Sequence, residues 1–382
     1  MTDVSIIPCP SYEPETVRQA LERVLEPIGG RSWVSAGMKI VIKANLVSMM
    51  KPEKAATTHP SLLCALTDML IEKGASVVIG DSPGGLYNAA SLNLIYNATG
   101  MHDAEAHGAS LNHNFETTEA IFENGLVLRD FVYTAFLDEA DAIIDFCKLK
   151  THGMMGMSAA AKNMFGAIPG TFKPEYHFRF PKHEDFAKMI LDLNAYFQPK
   201  MRLCLVDAVV GMEGNGPTQG SPRQIGALLA STCPHKVDLL CASLIGLGIK
   251  DVPTLQAAFE AGLIPERVER LNVCGNADAL RISDFQNIHV RKSMLFEGKG
   301  RFAATFVRTA LRARPSVEKR SCIGCQKCAQ ICPAHIITMK NGKPMIDRKK
   351  CITCFCCQEF CPVGAMKVRR PLIARLLNRT KK

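Results

Sequence analysis

Cys322-Ile-Gly-Cys325-Gln-Lys-Cys328-Ala-Gln-Ile-Cys332-Pro333 is echoed downstream by Cys351-Ile-Thr-Cys354-Phe-Cys-Cys357-Gln-Glu-Phe-Cys361-Pro362. Both stretches read C-x2-C-x2-C-x3-C-P. In such a run three thiolates hold one iron–sulfur cluster, and the fourth reaches over to the other cluster. Cys322, Cys325, Cys328 and Cys361 are therefore assigned to one 4Fe-4S cluster, and Cys351, Cys354, Cys357 and Cys332 to a second. The crossed assignment means that neither run can fold without the other. Each closing Pro fixes φ and removes a backbone donor, which turns the chain away from the cluster. A pair of zinc knuckles is the competing reading, but zinc sites favour separated Cys pairs over four Cys in one tight run. Cys356 is extra to the pattern, either a bystander thiol or a ligand in a remodelled cluster.

Between the runs, Ile336–Lys340, Asn341-Gly342 and Lys343–Ile346 read as a hairpin closed by a type I′ turn. With the hairpin included, roughly residues 318–370 resemble the dicluster bacterial ferredoxin domain.

The chain has 382 residues, 47% hydrophobic, enough for a sizeable core. It shows no apolar run long enough to span a bilayer and no signal peptide. Eight of its sixteen Cys are used by the two runs. The other eight are scattered, mostly in apolar stretches, as reduced core thiols are. The expected setting is the cytoplasm of an anaerobe or a low-oxygen niche.

Charge is uneven. Residues 291–382 hold 22 Lys/Arg against 4 Asp/Glu, and residues 1–290 hold 24 against 32. The basic part suits an acidic partner, an anionic membrane surface or the acidic N-terminal part of the same chain. A merely solvated basic surface fits equally. Nucleic acid is not expected, because aromatic interleaving and recognisable binding motifs are missing.

Upstream, strands and helices alternate. Val4–Cys9, Lys39–Val47, Ser76–Asp81, Ala140–Phe146, Arg202–Val210, Ile225–Ala230 and Leu271–Cys274 read as strands. Pro14–Ile28, the stretch from His59-Pro60 to Gly74, 158–166, Val237–Ile245 and Leu255–Phe259 read as helices. Residues 87–125 read as a helix followed by irregular connections. The alternation predicts an α/β domain with a mainly parallel sheet over residues 1–280. A basic connector follows over 281–317, with Phe302, Phe306 and Leu311 set among arginines. A dicluster domain over 318–370 and a basic tail over 371–382 complete the chain.

Ligands of open α/β sheets bind beyond the carboxyl ends of the strands. Three loops sit there. The first, Asp81-Ser-Pro-Gly-Gly85, could hold phosphate on backbone N–H groups. The second carries Lys148, Lys150 and His152 and runs on to Lys162 and Asn163. Several cations there suit a phosphate or carboxylate, and His152 suits proton transfer near neutral pH. Solvated lysines and a satisfied loop histidine are the plain alternative. The third offers Asp207 and Glu213 as metal ligands, acid/base groups or turn caps. Neither G-x-G-x-x-G nor a Walker A run occurs, and no flavin signature is visible.

Lys148-Leu-Lys-Thr-His152, Ala161-Lys-Asn-Met-Phe-Gly166 and Asp207-Ala-Val-Val-Gly-Met-Glu213-Gly-Asn-Gly-Pro217 resemble a large bacterial and archaeal family. It is labelled only as a domain of unknown function and is often fused to a C-terminal dicluster ferredoxin domain. The resemblance implies the architecture and no settled reaction. Three readings of function stay open. In the first, two clusters relay electrons between a redox partner protein and an α/β domain that binds or reduces a small anionic substrate. In the second, the chain is a non-catalytic carrier that docks a partner enzyme. In the third, it is a redox-silent isomerase or ligase with structural clusters.

Overall fold

The computed structural model describes residues 2–288 and 313–369. The basic stretch around Phe302 and Phe306 and the tail 371–382 lie outside them.

The chain opens with strand β1 (Val4–Pro8) and helix α1 (Pro14–Leu25). Val17, Leu21, Val24 and Leu25 make one buried face of α1, and Pro14 starts it where a missing N–H does no harm. Strand β2 (Lys39–Lys43), helix α2 (Pro60–Ile71) and strand β3 (Ser76–Gly80) form the expected β–α–β unit, with β2 and β3 parallel. Helices α3 (Ala89–Thr99) and α4 (Asp103–Ala106) follow, then strands β4 (Ser110–Leu111), β5 (Thr117–Ile121) and β6 (Asp130–Thr134). Strand β7 (Ala142–His152) is buried along its whole length and folds back on β8 (Gly156–Ser158). Next come α5 (Ala160–Asn163), α6 (Lys173–Arg179), α7 (His183–Phe197), β9 (Met201–Glu213), β10 (Ser221–Ser231), α8 (Pro234–Leu244), α9 (Pro253–Glu260) and β11 (Val273–Cys274).

One sheet joins nine of these strands in the order β11-β1-β10-β9-β7-β2-β3-β4, with β8 branching from β7, while β5 and β6 pair separately. It is mainly parallel but mixed, because β10 runs antiparallel to both β1 and β9. Its two faces bury separate cores. Val41 and Ile143 point to the side covered by α5, α7, α8 and α9. Ile40, Ile42 and Ile144 point to the side covered by α1, α2 and α3. This is the period-two alternation of a sheet buried on both sides.

Several boundaries differ from those expected. The strand expected to reach Val47 stops at Lys43, and Val47 itself takes a left-handed φ of 49°. Ser158, expected in a helix, closes a strand. Residues 281–288 belong with the α/β domain, since Ile282 N–H donates to Leu244 O at 2.8 Å and Gly214 N–H to Gln286 O at 2.8 Å. The connector expected to extend to 317 ends earlier, because Arg314–Val317 (β12) pairs with Met366–Arg369 (β15) in the small domain.

That small domain also holds α10 (Lys327–Gln330), the hairpin β13 (Ile337–Lys340) and β14 (Lys343–Ile346), and α11 (Cys356–Glu359). Asn341 and Gly342 both have positive φ, as the type I′ turn demands. The two Cys runs share one backbone path. Positive φ occurs at equivalent positions of each: Gly324 and Thr353, Gln326 and Phe355, His335 and Gly364. No helix of the described residues is long and apolar enough to cross a membrane.

Candidate functional site

The two domains meet at the carboxyl end of the sheet. Gln219 Nε2 donates to Gln358 O at 2.7 Å, Gln358 Nε2 to Asn215 O at 3.1 Å, and Thr218 Oγ1 to Glu359 O at 3.3 Å. The tip of the Phe360 ring abuts Gly84, where an added Cβ would come within 2.1 Å of Cζ. Between the domains runs a cleft of about 1470 Å³. One wall carries Asp81, Lys150, His152, Lys162, Asn163, Lys173 and His177; the other carries Cys332, Cys356, Glu359, Phe360 and Cys361.

The floor is built from buried polar contacts. Lys43 pairs with Asp81 at 2.7 Å, both side chains buried. Gly166 packs directly on this pair, and a side chain there would strike Asp81 Oδ1 at 2.2 Å. Asn163 Nδ2 donates to Asp145 Oδ1 at 2.6 Å and accepts from Lys43 Nζ at 3.2 Å on its own Oδ1. Burial pushes Asp145 up to about 8, with Lys43 and Asn163 opposing the shift. The short turn α5 lacks a cap of its own. Asp238, from α8, accepts from Ala160 N–H at 2.7 Å and Ala161 N–H at 3.1 Å, and so fixes where Lys162 emerges.

The cations are held differently. Lys150 Nζ donates to Asn45 Oδ1 and to Ala56 O, and burial lowers it to about 7. Lys173 Nζ donates to Ser82 O at 2.7 Å and to Ile168 O, and burial lowers it to about 7 as well. Lys162 makes no hydrogen bond or ion pair among the described residues. Its ammonium lies 4.5 Å from the Phe165 ring centroid. Burial lowers its pKa, while the Glu359 carboxylate opposes the shift. His152 Nδ1 accepts from the N–H groups of Met154 and Met155, both at 3.2 Å. In the neutral ring that acceptor role leaves the proton on Nε2. Burial holds the ring well below its usual pKa, and Nε2 faces Glu359 Oε1 at 3.3 Å. His177 stacks on Phe186 at 4.5 Å, and its buried Nδ1 has no hydrogen-bond partner among the described residues.

Lys150, His152, Lys162 and Asn163 thus line one cleft. Lys148, Asp207 and Glu213 do not join them. The β7–β9 register slips between Lys148–Asp207 and Lys150–Met212. Lys148 stays on the far side of that irregularity, paired with Asp207 at 2.5 Å and bonded to Tyr12 Oη at 2.8 Å. Asp207 also accepts from Tyr12 Oη at 2.9 Å and from His59 N–H at 3.1 Å. Glu213 accepts from Gln286 N–H at 3.0 Å and anchors the segment beyond the sheet. Among the described residues no three His, Cys, Asp or Glu side chains converge as the shell of a single metal ion. Lys173, His177 and Glu359 were not anticipated. Of these, Glu359 alone had a signal, its place inside the second Cys run.

In the small domain Cys322, Cys325, Cys328 and Cys361 line one cavity, the four assigned together from spacing. Burial raises the Cys328 thiol, with Cys325 and Cys361 adding to the shift. Burial likewise raises Cys357, whose neighbouring thiols include Cys354, Cys351 and Cys332. Cys328 of the first group also acts on Cys357, so the two runs pack together, and the first group of four sulfur donors fits a 4Fe-4S cluster. All sixteen thiols are free of disulfides. Cys356 is buried, hydrogen-bonds the Cys354 thiol and faces the cleft, away from the first cavity.

Residues 40–243, over half of the chain, match the family described as a domain of unknown function, DUF362. The chain belongs to that family. Residues 321–365 of this DUF362 protein match the 4Fe-4S dicluster domain, which makes it an iron–sulfur protein. The thylakoid-associated protein sll1697 of Synechocystis sp. is 28% identical over 274 residues, covering 70% of this chain and 81% of that one. Among solved structures, the lactate racemase apoprotein of Thermoanaerobacterium thermosaccharolyticum aligns with a TM-score of 0.42 at 13% identity. That alignment covers 65% of the DUF362 chain and 58% of the racemase chain.

Proposed function

We propose that this protein binds an organic anion in the interdomain cleft and exchanges electrons with it through two 4Fe-4S clusters. One observation carries the reading: the same cleft is lined by Lys150, His152 and Lys162 on one side and by Cys332 and Cys361 on the other. Those two cysteines are the fourth ligands of the two runs, one for each cluster. The clusters supply one-electron chemistry. The chain's own residues do the rest. Lys162, which has no oxygen partner among the described residues, takes the anion; Lys150 and Lys173 surround it with positive charge. His152 presents its Nε2–H to the ligand as a hydrogen-bond donor whose tautomer is fixed by the backbone. The two-sided cleft limits water around these groups, which strengthens each contact.

The basic small domain suits an acidic redox partner protein, and the free thiols suit a reducing compartment. We place the protein in the cytoplasm. The relative's association with thylakoids makes a membrane-facing location the alternative, and cell fractionation separates the two.

The test is an anaerobic redox titration followed by EPR, with and without simple carboxylates and phosphates. The reading expects about eight irons per chain and cluster signals that shift on adding an anion. The shift should vanish in Lys162→Met. Cys356→Ser should keep the iron content, whereas Cys325→Ala should lose about half of it. Full clusters that ignore every anion would leave a plain carrier, and turnover by a cluster-free protein would leave a redox-silent enzyme.

A further inference from the structure

The cleft is larger and less polar than a small anion requires. Sites for drug-sized ligands span roughly 300–1,000 Å³, and this one reaches about 1470 Å³. Its floor is the cationic group around Lys162. Its mouth is apolar and wet. Met49 is 54% exposed, Leu86 65%, Leu94 57% and Phe178 57%. All four line the cleft, and they come from three separate segments: the loop after β2, the loop and helix after β3, and helix α6. Single exposed apolar side chains are ordinary on a protein surface. Four large ones converging on the mouth of a cavity with a charged floor are not, and they mark a surface that a ligand covers.

We propose that the ligand of this cleft is an amphipathic anion, an acid head bound at Lys162 joined to an apolar chain or ring that lies along Met49, Leu86, Leu94 and Phe178. This rests on the anion-binding reading above and narrows it from a small anion to a larger one. The arrangement divides the work. The head is fixed by charge at the floor, near Cys356 and Glu359 of the cysteine-rich domain. The apolar body covers the mouth and closes the floor against water. A short acid would bind the floor and leave the mouth open.

Calorimetry on the anaerobically reconstituted full chain tests this with acetate, butyrate, hexanoate and octanoate. Affinity should rise roughly fourfold for each methylene that enters the mouth. Leu86→Ser combined with Leu94→Ser should flatten that rise and leave acetate binding unchanged, because both side chains are exposed and remote from the fold's core. Lys162→Met should weaken the whole series alike. Butyl and octyl phosphate form a second arm: tighter binding than carboxylates of matched chain length assigns the head as phosphate. Equal affinity for acetate and octanoate would overturn the amphipathic ligand while leaving anion binding at Lys162 intact. A chain-length rise that the leucine variants do not alter would also overturn it. If no acid binds and Lys162→Met changes nothing, the anion-binding reading itself fails.

Discussion

His152 Nε2 and Glu359 Oε1 lie 3.3 Å apart, one from the α/β domain and the other from the cysteine-rich domain. Glu359 also stands among the charges acting on Lys162 and Lys150. It therefore subtracts from the positive floor that would hold an anion. Glu359→Gln removes that charge at nearly constant shape. Anion affinity should rise roughly five- to tenfold, the scale of one charge at short range in a partly hydrated cleft. Titration calorimetry with acetate checks it, and equal or weaker binding would count against the cleft as an anion site.

Affinity for the anion should also fall as pH rises through neutrality. Lys150 and Lys173 both lose their protons near pH 7 in the empty cleft because burial disfavours the ammonium. An anion favours the charged form, so above about pH 7 binding must take up protons. Each proton taken up weakens binding by at most about tenfold per pH unit. A profile that stays flat from pH 6 to 9 would contradict the part given to these two lysines.

Asp145 makes a prediction about stability with the same direction in pH. Its folded pKa is raised from 3.8 to about 8, mainly by burial. Between those values the native state keeps a proton that the unfolded chain has released. The contribution is full below pH 4 and is lost as pH rises through 8. Lys150 and Lys173 act oppositely above pH 7, so the comparison must be between variants. Asp145→Asn mimics the protonated acid and still accepts from Asn163. Denaturant unfolding of this variant should show a gain relative to the parent that grows from pH 5 to pH 8. A constant difference would refute the assignment.

Gly84 tests the contact between the domains. A methyl group there would reach Phe360 Cζ at 2.1 Å, and the ring must move away. Gly84→Ala should destabilise the interface by about 1–3 kcal/mol, the usual cost of overpacking. Limited proteolysis should then release the cysteine-rich domain more readily. Phe360→Leu should restore most of the loss in the double variant, and failure to do so would place the strain elsewhere.

Local chemistry was the legible part of this chain. The Asn341-Gly342 turn and the period of Val17, Leu21 and Val24 each act within a few residues, and each took its expected form; Cys322, Cys325, Cys328 and Cys361, grouped from spacing, line one cavity. Lys150 and His152 shared a strand face as read, because β7 runs on through His152. Lys148 shared the same sequence period but not the site. It sits directly opposite Asp207 of β9 and pairs with it, a partnership across strands that the local pattern does not mark. Helix α7 went unread although Phe186, Ile190, Leu193 and Phe197 keep a helical period behind the acidic first turn Glu184-Asp185. Lys173, His177 and Glu359 belong to the cleft only through packing between elements far apart in sequence, which periodicity cannot report.

The shared wall of the cleft has a consequence for how the protein ages. Cys332, Cys356, Glu359, Phe360 and Cys361 shape the ligand's chamber and also sit within or beside the cysteine runs. Oxygen damage to the metal centres would therefore deform the chamber itself, so a worn molecule would stop accepting ligand at about the moment it could no longer handle electrons. Coupling of binding equilibria is reciprocal: on the proposed reading, a ligand that needs the metal centres in place would in turn favour their retention.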